Sequence, residues 1–142
     1  MDRFPAWLPY ALGSALFAGL TAVLGKAGVA GLDPDFATFV RTGVVLAMTA
    51  GIVAWRGTWR GGVVTPKGVL FMVLSGVATG LSWLFYYRAL RLGPASKVVP
   101  IDKLSVAVAM ILAALFLRES PSPRVVAGGA LVVAGALLVA AG

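Results

Sequence analysis

Five apolar stretches, each about twenty residues long, fill almost the whole chain and leave only short connections between them. A helix rises about 1.5 Å per residue, so it needs about 20 residues to cross a hydrocarbon layer about 30 Å thick. Because a bilayer offers no water to the backbone, every amide and carbonyl must be paired within the protein, and a helix does this within one segment. The pattern therefore predicts an all-α integral membrane protein with five transmembrane helices.

Prolines mark where most of these spans begin. A proline is tolerated at the first position of a helix because the N–H that it lacks has no intrahelical partner there. Four expected starts carry one: Pro34, Pro66, Pro94 and Pro123. The first apolar run is too long for the core of a signal peptide, so we interpret it as a span. The predicted spans are 7–30, 35–55, 67–91, 95–117 and 122–142, in a single membrane domain over residues 1–142.

The composition supports a membrane location and excludes several functions. Charged residues make up 12% of the chain, against about 25% in an ordinary soluble domain. The net charge of +7 comes from scattered basic residues rather than from a basic stripe, so we expect no nucleic-acid partner. Without cysteine or histidine the chain lacks the usual metal ligands, and we expect no cofactor. Its five acidic residues form neither a triad nor a catalytic carboxylate pair, so we expect no enzyme activity.

The distribution of lysine and arginine between the two membrane sides sets the expected orientation. One side holds Arg3, Arg56, Arg60, Lys67, Arg118 and Arg124, and the other holds Lys26, Arg41, Arg88, Arg91 and Lys97. Several basic residues of the second group lie inside predicted helices, and leaving them out places the N-terminus in the cytoplasm. Counting all of them gives six basic residues on one side and five on the other, which keeps insertion in both orientations open. In either case the expected location is the cell membrane, as a multi-pass (inner-membrane) protein.

The start of the fourth span carries charges into the bilayer. Lys97, Asp102 and Lys103 lie there, and placing a charge at membrane depth costs roughly 2.5 to 3.5 kcal/mol on insertion scales. Pro100 removes a backbone donor, which predicts a kinked or unwound turn of the kind found near transporter substrates.

Asp102 and Lys103 are neighbours in sequence, so on a regular helix their side chains point about 100° apart. We therefore expect each to have a partner elsewhere rather than to neutralise the other. The candidate partners are Lys26, Arg41 and Arg88, in the same chain or in a second copy. Three interpretations stay open: structural ion pairs between helices, a substrate or ion pathway, and lysines that extend to the membrane interface.

The third span carries a line of hydroxyl groups that ends in aromatic residues. Ser75, Thr79, Ser82 and Tyr86 recur at helical spacing, with Gly76, Gly80, Trp83 and Tyr87 beside them. The hydroxyl groups would let water into a pathway, and the aromatic rings would stack on a ligand. Hydroxyl groups also form hydrogen bonds between helices in membranes. Both interpretations stay open, and we include Ser82, Trp83, Tyr86 and Arg88 among the candidate pathway residues.

Small residues on other spans favour helix packing. The first span carries Ser14, Ala18, Thr21, Gly25 and Gly28 on one line, and the second carries Thr38, Thr42 and Thr49 on one face. In the fifth span Gly128 and Gly135 lie seven residues apart, with Gly129 and Ala136 alongside. A narrow face of this kind lets another helix approach closely, either within the same subunit or from a second one.

Part of the chain resembles a known family. The pattern consists of the run YRALRLGPASKVVP at 87–100, the sequence FLRE at 116–119, and Gly128, Gly129 and Gly135. It is similar to the second half of an EamA domain of the drug/metabolite transporter superfamily. The pattern covers about residues 83–135, while the length of five helices matches that domain over nearly the whole chain. The resemblance implies two such repeats, usually fused as ten helices, which pack with inverted topology around a pathway for small organic metabolites.

The chain departs from the common family pattern because it holds one repeat, which implies a homodimer or a separately encoded partner. Single-repeat small multidrug resistance proteins have four helices and an acidic residue in the first one. The first helix here has no acidic residue, so any proton coupling rests on Asp102. Our hypothesis is a secondary transporter that works by alternating access as a homodimer of two antiparallel copies. A membrane scaffold, an accessory subunit and a channel remain alternatives.

Overall fold

The computed structural model describes residues 5–59, 61 and 64–142. Arg3 and Arg60 of the orientation count lie outside these residues. The helices are α1 (Leu8–Val29), α2 (Pro34–Arg56), α3 (Pro66–Leu92), α4 (Ala95–Asp102), α5 (Ser105–Phe116) and α6 (Pro123–Ala141). Five of the resulting segments are long and apolar enough to cross a membrane, because α4 and α5 together form one span over Ala95–Leu117. The predicted all-α membrane fold with five spans is confirmed.

Local sequence signals explain where α2 begins and ends. The Asp33 carboxylate accepts hydrogen bonds from the backbone N–H groups of Asp35 and Phe36, at 2.9 and 3.1 Å, and Pro34 follows as the first helical residue. At the other end Gly57 adopts a left-handed conformation with φ of 65°. A residue with a side chain rarely adopts this conformation, so the glycine stops the helix.

The chain forms two compact units, Met1–Leu92 and Gly93–Gly142. In the first unit α3 packs against both α1 and α2. The buried residues of this unit are Ala22, Val29, Ala37, Thr38, Tyr87 and Leu90. Most large apolar side chains point outward instead, as expected for helices that are solvated by lipid. The single domain over residues 1–142 stays a prediction.

In the second unit α6 packs against α4 and α5. A Cβ atom added to Gly129 would lie 2.5 Å from the Met110 sulfur, so the absence of a side chain there leaves room for the Met110 side chain of α5 against α6. Ala136, seven residues later on the same face, is buried. A Cβ atom at Gly128 or Gly135 would meet nothing within 4 Å. The Gly129 and Ala136 face therefore packs inside the second unit, and within that unit nothing covers the Gly128 and Gly135 face.

The fourth span is interrupted, but three residues later than Pro100. Helix α4 continues through Pro100 to Asp102, and α5 begins at Ser105. Between them the Lys103 N–H donates to the carbonyl of Pro100 and the Leu104 N–H to that of Ile101, both at 3.0 Å. These are bonds across three residues, typical of a tighter 3₁₀ turn. Helix α4 thus contains Pro100 in its interior, and the regular helix ends two residues after it.

Candidate functional site

A cleft of about 300 Å³ lies among α1, α2 and α3 of the first unit. Its wall is mostly apolar, and it lies towards the turn that joins α1 to α2. The lining residues are Thr21, Leu24, Gly25, Gly28, Val29, Leu32, Ala37, Val40, Arg41 and Tyr87. A concave, mostly apolar site with a few polar groups is the usual form of a small-molecule binding site.

Arg41 is the charged group of this cleft. Its Cζ atom lies 3.6 Å from the centroid of the Trp83 ring and 5.8 Å from that of Tyr87. A guanidinium over an aromatic face gains a cation–π attraction, which is stronger where water is excluded. Arg41 is the eighth residue of α2, about 10 Å along the helix axis from its start. Among the described residues no carboxylate lies within 4.0 Å of it.

The Tyr87 ring is held by its neighbours on α1 and α3. It is 5% exposed and meets the Tyr86 ring edge to face, with the centroids 6.1 Å apart. A Cβ atom at Gly25 would lie 3.2 Å from the Tyr87 hydroxyl oxygen, which is tighter than an ordinary contact. Gly25 therefore gives the Tyr87 ring room against α1, and the ring forms a fixed wall of the cleft.

Three other basic residues near the α1–α2 turn have partners across helices. Arg88 pairs with Asp35, with 2.8 Å between Nη2 and Oδ2. Lys26 donates to the carbonyl of Leu90, and Arg91 donates to that of Leu32. These contacts fasten the C-terminal end of α3 to the α1–α2 turn. We name Lys26, Arg88, Arg91 and their acceptors Leu90, Asp35 and Leu32 the turn clamp.

The threonine hydroxyls divide into two groups. Thr38, Thr42, Thr49 and Thr79 each donate to the backbone carbonyl one turn earlier, at 2.8 to 2.9 Å. A hydroxyl bonded in this way has its donor satisfied within its own helix. Thr21 lines the cleft and, within the part of the chain that the structure describes, makes no such bond. Its hydroxyl is therefore available to a ligand.

The predicted residues of the first unit contribute to this cleft unequally. Trp83 lies under Arg41, and Tyr86 contacts Tyr87. Arg88 pairs with Asp35 rather than with Asp102. Ser82 is exposed on α3 and does not line the cleft. The assignment of these residues to a substrate pathway stays a prediction.

Sequence reasoning missed the cleft residues Arg41, Tyr87, Thr21 and Gly25 as members of one site. Arg41 was expected as a partner for Asp102, and the line of Thr21, Gly25 and Gly28 was assigned to packing. The sequence did show two signals separately: Trp83 and Tyr87 lie four positions apart on one face of the third span, and Arg41 lies inside the second.

In the second unit Asp102 and Lys103 pair with each other, with 3.3 Å between the lysine Nζ and the carboxylate. The expectation that they cannot neutralise each other was wrong. It assumed a regular helix, but α4 ends at Asp102 and Lys103 lies in the tight turn that follows. The long lysine side chain bends back from that position. Lys97 is exposed on α4.

Comparison with known proteins decides the family. The sequence profile of the EamA-like transporter family matches residues 5–141. The chain belongs to the EamA-like transporter family. The resemblance seen at residues 83–135 thus extends over the described length of this EamA-like transporter, which is a multi-pass membrane protein and not an enzyme.

A curated relative of this EamA-like transporter has a similar length. It is the "Uncharacterized transporter in cobO 3'region" of Sinorhizobium sp., which is 49% identical over 136 residues. The match covers 95% of this chain and 96% of that protein. No solved structure matches this EamA-like chain.

Proposed function

We propose that this protein is a secondary transporter of small organic solutes, which bind in the cleft of α1, α2 and α3. The observation that carries the proposal is the position of Arg41. Its guanidinium faces a cleft at membrane depth and is supported by the Trp83 ring instead of a carboxylate. Charged groups at this depth are costly, and they normally face a cavity or a transport pathway.

We further propose that two copies in opposite orientation form the working unit and exchange conformations in alternating access. Transporters of this type bind substrate between repeats of inverted topology. The relative from Sinorhizobium sp. is matched over 96% of its length, so that transporter is also about one repeat long. The open face around Gly128 and Gly135 offers a surface on which a second copy is able to pack closely.

Cysteine labelling tests whether water reaches the cleft. The chain has no cysteine, so a single introduced thiol reports only its own position. We expect Thr21→Cys in liposomes to react with a membrane-impermeant maleimide at least ~10 times faster than Leu20→Cys, because maleimide reacts with the thiolate and a thiolate does not form in hydrocarbon. Leu20 is the matched control, since it precedes Thr21 on α1 and is 51% exposed on the outer surface.

Equal labelling of the two positions would remove the water-accessible cleft from the proposal.

Uptake by reconstituted liposomes then tests transport itself, with phenylalanine, uridine, benzenesulfonate and phenyltrimethylammonium as solutes. Saturable uptake of at least one of them, absent from protein-free liposomes, supports a transporter. Flux that rises linearly with concentration would favour a channel, and co-purification with a different membrane protein without self-association would favour an accessory subunit.

Substitution at Gly128 tests the dimer. A leucine there fills the open face of α6, and overpacking of a close interface costs about 1 to 3 kcal/mol. We expect Gly128→Leu to lower the crosslinked dimer in liposomes by about tenfold or more, since 1.4 kcal/mol corresponds to a factor of ten. Ala127→Leu is the matched control, because the two positions lie about 100° apart on the helix.

An equal dimer yield from both variants would contradict the assignment of this face. The relative orientation of the copies is measured separately, with reporter fusions at both termini. Each terminus is expected on both sides of the membrane, and a single orientation would contradict the antiparallel pair.

A further inference from the structure

We infer that the cleft selects a small organic anion with an apolar body, whose anionic group binds Arg41. This inference rests on the proposed function, since it names the charge class of the substrate. It starts from the geometry of the Arg41 guanidinium, which lies over the Trp83 ring with its Cζ atom 3.6 Å from the ring centroid. At this distance the ring shields the guanidinium from one side, while the five N–H donors of an arginine lie in the plane of the guanidinium. That arrangement leaves the guanidinium fork available to a carboxylate, sulfonate or phosphate.

The carboxylates of the first unit do not occupy this fork. Asp33 accepts two backbone N–H groups at the start of α2, and Asp35 pairs with Arg88. They are the only acidic residues that the structure describes in this unit. Four basic side chains surround the same end of the unit: Lys26, Arg41, Arg88 and Arg91. The resulting excess of positive charge attracts an anion and disfavours a cation.

The remaining cleft wall indicates what the rest of the ligand is like. Leu24, Val29 and Val40 line it, so the part of the ligand away from Arg41 contacts apolar groups. The Thr21 hydroxyl adds a donor that has no acceptor among the described residues. A cleft of about 300 Å³ stands at the small end of ligand sites, which suits a ring-sized solute and not the two chains of a phospholipid.

Tryptophan fluorescence measures this binding without transport. Trp83 becomes the single tryptophan after replacement of the three exposed ones, Trp7→Phe, Trp55→Phe and Trp59→Phe. The protein is placed in phosphatidylcholine nanodiscs and titrated with benzenesulfonate, which keeps its charge at every usable pH. Matched probes are phenyltrimethylammonium, of similar size and opposite charge, and neutral benzamide.

We expect saturable quenching by benzenesulfonate and at least ~10-fold weaker binding of both matched probes. Arg41→Gln is expected to weaken benzenesulfonate binding by about 10- to 100-fold, the loss of a charge-assisted hydrogen-bonded pair. Arg41→Lys keeps the charge but not the fork, so we expect an intermediate affinity. Arg56→Gln removes one charge from the exposed far end of α2 and is expected to bind as the parent protein does.

Several outcomes would overturn the inference. One is binding of phenyltrimethylammonium as tight as that of benzenesulfonate, and another is unchanged benzenesulfonate binding in Arg41→Gln. A third is loss of benzenesulfonate binding when phosphatidylglycerol replaces phosphatidylcholine, which would assign the site to an anionic lipid headgroup. Saturable uptake of the cation without anion binding would keep the transporter proposal and reject the anion. Anion binding without any uptake would keep the anion site and reject the transporter proposal.

Discussion

Replacing Gly28 by leucine is expected to reduce transport at least ~10-fold while leaving the protein folded. Gly28 lines the cleft, and a Cβ atom added to it meets nothing within 4 Å. We therefore expect the leucine side chain to extend into the cleft, since its first carbon has open space there. Because a small-molecule site encloses most of its ligand, a blocked cleft excludes the substrate, and any steric cost above 1.4 kcal/mol gives more than a tenfold loss.

The control for this variant lies on the same helix. Gly19 is exposed, has no atom within 4 Å of an added Cβ, and does not line the cleft. Gly19→Leu is therefore expected to transport at the parent rate. Uptake into liposomes and the thermal midpoint in detergent are measured for both variants. Full transport by Gly28→Leu would place the substrate elsewhere.

Neutralising Asp102 is expected to affect both stability and transport. The Asp102→Asn variant leaves Lys103 without the carboxylate 3.3 Å from it. The fourth span begins at Ala95, and Lys103 lies about 12 Å along it. A charge at membrane depth costs roughly 2.5 to 3.5 kcal/mol on insertion scales, and partial exposure of the group lowers that cost. We expect a lower thermal midpoint and at least ~10-fold slower uptake.

A double variant separates the interpretations of this pair. Asp102→Asn combined with Lys103→Gln removes both charges, so we expect the thermal midpoint to recover. If the pair belongs to the substrate pathway, uptake stays low in the double variant. Recovery of uptake would assign the pair to structure alone, and normal uptake by Asp102→Asn itself would remove it from the mechanism. Glu119→Gln, at an exposed acidic residue outside the candidate pathway, is the control for loss of one negative charge.

The fold was predictable because its signals are local in the sequence. Apolar stretches show where a helix crosses the membrane, and single residues show where it starts or stops. Each predicted span agrees with an observed one within about two residues, since prolines and Asp33 fix the starts and Gly57 fixes one end. The interruption of the fourth span was placed wrongly. Pro100 shows which backbone donor is missing. The position of the tight turn after Asp102 depends instead on the hydrogen bonds of Lys103 and Leu104, which no residue type in the sequence predicts.

The cleft was less predictable because its residues come from three helices. Periodicity shows that Trp83 and Tyr87 share a face of α3, but not that this face meets Arg41 of α2. The same holds for Gly25, whose missing side chain matters only because the Tyr87 ring lies against it. Sequence spacing also says nothing about which cation pairs with which acid, so the partner of Arg88 was found only in the structure.

The turn clamp has a mechanical consequence. Contacts of Lys26, Arg88 and Arg91 fasten α1, α2 and α3 at the end where the cleft lies. Helices fastened at one end separate most easily at the other, and α1 has 22 residues, which corresponds to a lever about 33 Å long. A tilt of about 5° around the clamp would move the far end of α1 by about 3 Å while hardly changing the distances around Arg41. We therefore expect the first unit to move least at the end that holds the cleft and most at the far end.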